Sequence, residues 1–375
     1  MIVRKTPVVA IVHLGRARAR GEAARVRTWV DLINAAAGTP VPFPLLRAGR
    51  LTARVTRSAL AAVAQGHAVP ESVVWSPTTT LLALRELMPD AVVCMTSRAW
   101  NPLLQSGPWV TILDHVDRIG VSYEDRSRIA RSAPRRMTYR ILARTANRFE
   151  ESSHHLDVTR VAAGWSDASA LGATWLPNVV NVPPCPRPKP SGERAVDVCF
   201  VGTLSYPPNV AALRLLSQAW PAVLRARPAT TAVVAGGHPT PVVLALVRAN
   251  GWELLADFGD AAEIYARARV AAAPLVTASG IQNKVLEAAA HGVPQVASDV
   301  ALAGLAPGFP AAVANGAPAL ADRVIELLSD PSGAVRLAAA ARLAVLRYTT
   351  SAWSSDVAGI LAGYHRTLGP QTRRP

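Results

Sequence analysis

Lysine is nearly missing from this 375-residue chain: of 40 basic residues only Lys5, Lys189 and Lys284 are lysine, and the rest are arginine. Against that background an internal lysine is a marked position. Aromatic residues make up 5% of the sequence, too few for the stacking platform that single-stranded nucleic acid requires. Cysteines number three, Cys94, Cys185 and Cys199. They lack metal-ligand spacing and cannot all pair, which fits a reducing cytoplasm. No apolar run approaches the roughly 18 residues of a spanning helix. Near the N-terminus the apolar stretch Pro7–Leu14 is only about eight residues long and runs into arginines without a small-residue cleavage site, so no secretory signal is expected. His154, His155 and Asp157 have no further ligands at fixed spacing and read as surface residues rather than a metal site.

What is present fits a globular protein with one large domain or two. Half the residues are hydrophobic and 17% are charged, so sizeable cores are available. The net charge is +15, unevenly spread. Residues 1–180 hold 23 Lys and Arg against 13 Asp and Glu, whereas residues 191–375 hold 15 against 12. The basic excess of the N-terminal half suits nucleic acid, an anionic membrane surface or an acidic substrate, and the scarcity of aromatics argues against the first. Its densest part is Arg126–Arg148: Arg136, Arg140, Arg144 and Arg148 recur every fourth residue, with Arg126, Arg128, Arg131 and Arg135 before them. Such a stripe is either a solvated helix face or a contact with anionic lipid, at about 1 kcal/mol per basic residue.

Proline marks the main boundary. The segment PNVVNVPPCPRPKPSG, Pro177–Gly192, cannot enter a sheet interior and reads as an extended linker. It separates a domain over 1–176 from one over 193–348. Residues 349–375 form a terminal helix, expected to pack back on the N-terminal domain, and a polar tail. In the second half short apolar runs alternate with helical patterns. Predicted strands are Val196–Val201, Thr230–Ala235, Trp252–Leu255, Val270–Pro274 and Gln295–Ser298. Predicted helices are Asn209–Ala219, Pro241–Asn250, Ala261–Ala268 and Gln282–His291. The first half follows the same logic less cleanly, with strands Val8–His13, Ala91–Met95 and Trp109–Leu113, helices Glu22–Ala37 and Leu81–Met88, and helices between about Tyr123 and Ser152. Apolar runs bounded by Gly and Pro with helices between them predict parallel sheets covered on both faces. The fold class is therefore α/β: two Rossmann-like, doubly wound domains facing a cleft, with ligands at the carboxyl ends of the strands.

Chemistry concentrates in PLVTASGIQNKVLEAAAHGVPQ, Pro274–Gln295. A strand ends at Pro274 and a helix is expected from Gln282, its N-terminus a ready anion site. Gly280 would let backbone approach a ligand. Gly280, Lys284 and Glu287 are spaced four and three apart, so they share one helix face. A lysine one turn in supplies a point charge for phosphate, and the glutamate beyond it can accept from a diol such as ribose. An ordinary buried helix with a solvated Lys/Glu pair is the plain alternative, weakened by how rare lysine is here. A second stretch, FVGTLSYPPN from Phe200 to Asn209, ends a strand in Gly202 and enters a helix with Asn209 as a fair N-cap. Taken alone, a plain strand-to-helix turn is the better explanation of it.

Together these stretches resemble the nucleotide-sugar-binding domain of glycosyltransferase family 4, the retaining GT-B enzymes of glycosyl transferases group 1. The matching elements run in order: Phe200-Val-Gly-Thr-Leu with Pro208-Asn209, Ala235-Gly-Gly, Phe258-Gly-Asp, Tyr265-Ala-Arg-Ala, Ala273-Pro-Leu, and Gly280-Ile-Gln-Asn-Lys-Val-Leu-Glu-Ala-Ala-Ala-His-Gly-Val-Pro. The last is similar to a subgroup of sugar transferases from exopolysaccharide-type clusters. The resemblance implies that Lys284 holds a donor diphosphate and Glu287 the ribose. It also implies that Ser279, Gly280 and Ile281, continuing into Gln282 and Asn283, line the donor sugar through their backbone, and that Gly202 and Thr203 face the diphosphate. Two departures stand out. Where the family often has a first glutamate this chain has Ser279, and the Arg and Lys common in the loop after Gly202 are replaced by Thr203, Leu204 and Asn209.

In the N-terminal half His13-Leu-Gly-Arg-Ala-Arg-Ala-Arg-Gly is similar to the family's first strand and loop, which places Gly15 and Arg18 on the acceptor side. The strand end Asp114-His115-Val-Asp117 stands where the family often has a histidine near the sugar, so Asp114, His115 and Asp117 are candidates to touch sugar or acceptor, against a helix-capping reading. Trp100 reads as packing or as a stacking surface for an acceptor. The resemblance implies a retaining transfer from a UDP- or GDP-type sugar to a hydroxyl of a lipid-linked sugar or small molecule, without a metal, because no carboxylate pair sits where one would bridge diphosphate oxygens. No nucleic-acid partner is implied. A cytoplasmic enzyme peripheral to the inner face of a membrane suits the arginine stripe. A nucleotide-sugar epimerase and a non-catalytic sugar-nucleotide-binding homologue are the alternatives on this architecture.

Overall fold

The computed structural model describes residues 7–13, 20–39, 41, 44–47, 50–51, 61, 63–69, 75–76, 78–130, 132–184, 196–256 and 258–362. The chain divides into two compact units, Met1–Asn178 with Thr350–Pro375, and Val179–Thr349.

In the first unit the sheet strands are β1 (Val9–His13), β2 (Leu45–Arg47), β5 (Ala91–Met95), β6 (Val110–Asp114), β7 (Thr159–Ala162) and β8 (Thr174–Trp175), while β3 (Arg50–Leu51) and β4 (Trp75–Ser76) form a separate antiparallel pair. All sheet pairings are parallel, in the order β2-β1-β5-β6-β7-β8. Every residue of β1 and β5 is buried, as expected for parallel strands with helices on both faces. Those helices are α1 (Arg20–Ala37), α2 (Thr78–Leu87), α3 (Ile119–Ile129), α4 (Ala133–Ser152) and α5 (Trp165–Leu171). Helices α3 and α4 approach closely at Gly120, where a Cβ would lie 1.7 Å from the Asn147 Oδ1.

The second unit has β9 (Val196–Val201), β10 (Ala232–Ala235), β11 (Glu253–Leu255), β12 (Ala268–Ala273), β13 (Gln295–Ala297) and β14 (Ala312–Val313). They are parallel throughout, in the order β11-β10-β9-β12-β13-β14. Its helices are α6 (Pro207–Ala226), α7 (Pro241–Asn250), α8 (Ala261–Arg267), α9 (Asn283–Ala290), α10 (Asp299–Leu302), α11 (Ala317–Ser329) and α12 (Pro331–Val345). Helix α6 outruns its predicted end at Ala219 and continues through Pro221 to Ala226. Proline there removes one backbone bond, and burial of Trp220 and Val223 on the same helix offsets that cost. The strand order reverses between β9 and β12, so the loops leaving these two strands flank a topological switch point, where such sheets bind ligands.

The last helix, α13 (Thr350–Leu361), belongs to the first unit and packs along α1. Trp353 meets Trp175 edge-on at 5.1 Å.

Candidate active site

Two loops of the second unit meet at the switch point because glycines let them. The β9–α6 loop begins at Gly202, whose amide donates to the Ala235 carbonyl at 3.0 Å, while the Leu204 amide donates to Gly237. A Cβ on Gly236 would lie 1.7 Å from the Gly202 carbonyl oxygen, so only glycine fits beneath that loop. The β12–α9 loop turns at Gly280, where φ is +65°, in the left-handed region that glycine adopts without strain. Its carbonyl rests on Gly304, where a Cβ would lie 2.1 Å away.

Lys284 projects from α9 into this place. Its Nζ donates to the Asn209 Oδ1 at 2.6 Å and lies 4.6 Å from the centre of the Phe200 ring. Burial pulls the Lys284 pKa down to about 7, partly opposed by the Glu287 carboxylate. Gly202 borders the same pocket of space: a Cβ there would stand 2.7 Å from the Asn209 Nδ2 and 3.0 Å from the lysine nitrogen. Glu287 lies one turn further along α9 and half-buried. Tyr265 packs beneath both: its hydroxyl donates to the Lys284 carbonyl at 3.2 Å, and its ring stacks on His291. Burial and the nearby Glu287 carboxylate push the Tyr265 phenol well above its ordinary pKa.

Three details differ from expectation. Helix α9 starts at Asn283, so Gly280 sits in the preceding loop rather than on a helix face shared with Lys284 and Glu287. Lys284 is the second helical residue instead of lying one turn in. Asn209 does not cap α6: Tyr206 stands at the cap, and the buried Asn209 side chain turns back to donate to the Thr203 carbonyl at 2.9 Å while accepting from Lys284. That role has no local signal, because the partner is 75 residues away. Gly304, too, has no sequence mark. Ser279, Ile281, Gln282 and Asn283 are half-buried along the entry to α9, and the Gln282 amide donates to the Ser279 carbonyl at 3.2 Å instead of capping the helix. Thr203 is half-buried at the opposite loop.

The candidates of the first unit are placed differently. Asp114 is wholly buried. Its Oδ2 accepts from the Arg25 Nε and the Trp29 Nε1, both at 2.6 Å, and its Oδ1 accepts from Arg25 at 3.1 Å and from the Val116 amide at 2.9 Å. Four bonds fill the acceptor positions of a carboxylate, so Asp114 anchors α1 to β6 instead of facing a substrate. Arg25 reaches on to the Leu176 carbonyl and the Asn178 side chain. His115 is also buried, its Nδ1 2.9 Å from the Ser97 hydroxyl and its Nε2 without a partner among the described residues. Burial, with the Arg160 charge, lowers its pKa to about 4. Asp117 is half-buried beside Val116, which holds a φ of +60°, a costly conformation for a β-branched residue. Glu150, buried on α4, accepts from the Gly120 amide at the start of α3; burial raises its pKa to about 7. Gly15 and Arg18 lie outside the described residues. Trp100 is fully buried and packs in the core.

The arginine stripe divides into two parts. Arg126 stacks over Tyr123, and Arg128 pairs with Asp125 at 2.7 Å; Arg131 is outside the described residues. On α4, Arg135, Arg136, Arg140, Arg144 and Arg148 are exposed, beside Met137 and Ile141, exposed at 57% and 53%. Among the described residues no cluster of His, Cys, Asp or Glu has the makings of a metal site, and no helix is long and apolar enough to cross a membrane.

Residues 195–330, which contain the whole site around Lys284, match the family described as Glycosyl transferases group 1. No curated protein matches the chain by sequence. Among solved structures, a sucrose-phosphate synthase from Thermosynechococcus elongatus is similar at 15% identity, covering 95% of this chain and 98% of that one with a TM-score of 0.66. HepE from Anabaena, solved in complex with UDP-glucose, is 12% identical, covering 95% of this chain and all of that one, with a TM-score of 0.61. A TarM variant from S. aureus, solved with UDP, is 10% identical with a TM-score of 0.58; it aligns over 75% of this chain, which spans 58% of the length of TarM. The fold is accordingly GT-B, two Rossmann-like α/β domains with parallel sheets, and the family match lies within the second unit.

Proposed function

We propose that this chain is a retaining glycosyltransferase that moves a sugar from a UDP- or GDP-type donor to a hydroxyl acceptor in polysaccharide, glycolipid or secondary-metabolite biosynthesis. One observation carries the reading: a half-buried lysine, held by an amide and an aromatic ring, stands at the β9/β12 switch point beside the N-terminus of α9. Ligands gather at such points, and helix N-termini favour phosphate. The UDP complexes of HepE and TarM support a nucleoside diphosphate as the group bound.

In this reading Lys284 and the first amides of α9 stabilise the charge that gathers on the leaving diphosphate as the glycosidic bond breaks. That is a preorganised electrostatic effect, and it requires no metal. Glu287 accepts from the ribose hydroxyls. The segment Ser279–Asn283 lines the donor sugar through its backbone, and Gly202 and Thr203 face the diphosphate. A donor phosphate oxygen helps take the acceptor proton. The exposed arginines of α4, with Met137 and Ile141 among them, fit contact with the anionic inner face of a membrane and hence a lipid-linked acceptor.

A panel of nucleoside diphosphates tested by thermal shift checks the donor-site assignment on which the reading rests, because a ligand that binds only the folded state raises its stability. UDP or GDP should raise the melting temperature of the native chain and leave that of Lys284→Ala almost unmoved. A Lys284→Ala protein that is stabilised as strongly as the native one overturns the assignment.

A further inference from the structure

We infer that Asn209 is a positioning residue of the donor site, holding the Lys284 ammonium at the switch point with its side-chain carbonyl. The inference rests on the diphosphate reading of that site and adds a residue to it. Asn209 is buried, with both ends of its amide engaged: Oδ1 accepts from Lys284 at 2.6 Å, and Nδ2 donates to the Thr203 carbonyl at 2.9 Å. The second bond fixes which end of the amide faces the lysine. The glycine at 202 completes the arrangement, because a Cβ there would crowd both the amide and the ammonium.

The chemistry of the pair explains why an amide stands here. A lysine side chain is flexible and carries three donors. Asn209 takes one donor and thereby sets the direction of the other two. Being neutral, it orients the charge without cancelling it, so the charge remains for phosphate oxygens. A carboxylate in the same place would still accept from the lysine, but it would neutralise the ammonium and lose the bond to the Thr203 carbonyl. No Lys or Arg occurs between Gly202 and Asn209, so the orientation of this lysine matters more than it would in a cluster of cations. Besides Asn209, Phe200 of β9 lies against the Lys284 ammonium and Glu287 of its own helix acts on its charge, while Tyr265 of α8 donates to the Lys284 carbonyl and itself feels Glu287 and Cys199. Burial already lowers the Lys284 pKa to about 7, where its charged and neutral forms are in balance. Loss of an accepting oxygen lowers the charged fraction further.

The test uses the full chain and measures UDP and GDP affinity by calorimetry from pH 6 to 9, for native protein, Asn209→Leu, Asn209→Asp and Lys284→Ala. Native affinity should fall as pH rises through about 7. Asn209→Leu should bind at least about tenfold more weakly at pH 7, with its decline beginning about one pH unit lower. Asn209→Asp should move the decline to higher pH while binding more weakly than native protein at pH 6. A merely structural role would shift melting temperature without moving these curves in opposite directions, and the nucleotide's own titration is common to all variants. Should Asn209→Leu fail to fold, the near-isosteric Asn209→Asp still decides. If Lys284→Ala loses binding while both Asn209 variants follow the native curve, the positioning role is wrong and the donor site stands. If Lys284→Ala binds like native protein, or neither nucleotide binds native protein, the donor-site reading fails and this inference with it.

Discussion

The two units build the same kind of sheet and use the ends of its strands in opposite ways. In the second unit the charged groups beyond β9 and β12 stay half-buried, with Lys284 oriented by a neutral amide and bordered by glycine. In the first unit the charged group ending β6 is turned inward: Asp114 is saturated by Arg25, Trp29 and the Val116 amide, and His115 is buried behind it. A strand end in a parallel sheet is thus a place, and its use depends on what the neighbouring elements bring. Glycine and an amide leave a charge available, whereas a buried arginine on α1 consumes it.

This contrast breaks most sharply at Asp114 and Lys284. Asp114→Ala should destabilise the chain by about 3–5 kcal/mol, since it strands the buried Arg25 guanidinium without its partner; chemical denaturation measures this. A loss below 1 kcal/mol would mean that Asp114 is not the anchor of its unit. Lys284→Ala should do the reverse. Donor turnover should drop about a hundredfold to a thousandfold, the size of losing one preorganised charge-stabilising donor, with the melting temperature barely changed.

A smaller effect is read by pH within the first unit, where both groups concerned lie. Glu150 is raised in the folded protein from 4.5 to about 7, so it contributes stability that is present below pH 4.5 and is lost as pH rises towards 7. His115 is lowered from 6.5 to about 4, so its contribution is present above pH 6.5 and is lost as pH falls towards 4. Between about pH 4.5 and 6.5 the two slopes oppose each other. Glu150→Gln keeps an accepting carbonyl for Gly120 and removes one slope. Its melting temperature should therefore climb with pH across that window, while the native protein stays flatter. Equal pH profiles for the two proteins would remove Glu150 from the account, since the His115 slope is common to both. Smallest of all, Arg144→Ala should weaken sedimentation with vesicles rich in phosphatidylglycerol about fivefold, the value of one basic residue near an anionic surface. It should leave turnover on a soluble acceptor unchanged.

Much of the fold was legible in sequence. Val196–Val201, Pro241–Asn250 and Ala91–Met95 are found with the predicted ends, because uninterrupted apolar runs and a proline-to-glycine frame around a helix are local signals. Leu45–Arg47, Thr159–Ala162 and Thr174–Trp175 are not among the predicted strands: two to four residues carry no readable period, and pairing in the sheet alone makes them strands. Within the site, Lys284 and Glu287 stood out through their spacing and the rarity of lysine. Asn209 passed for a helix cap, and Asp114 for a group facing ligand, because the partners that decide their roles lie 75 and 89 residues away.

Local chemistry by itself determined the alternation of strand and helix, the parallel character of both sheets and the lysine worth examining, since each depends on neighbours within a few positions along the chain. Which charges remain available and which are spent holding the fold was decided only in three dimensions. Burial and hydrogen-bond pairing depend on segments that folding brings together from far apart, and a carboxylate or an ammonium has no fixed role until its partners are in place.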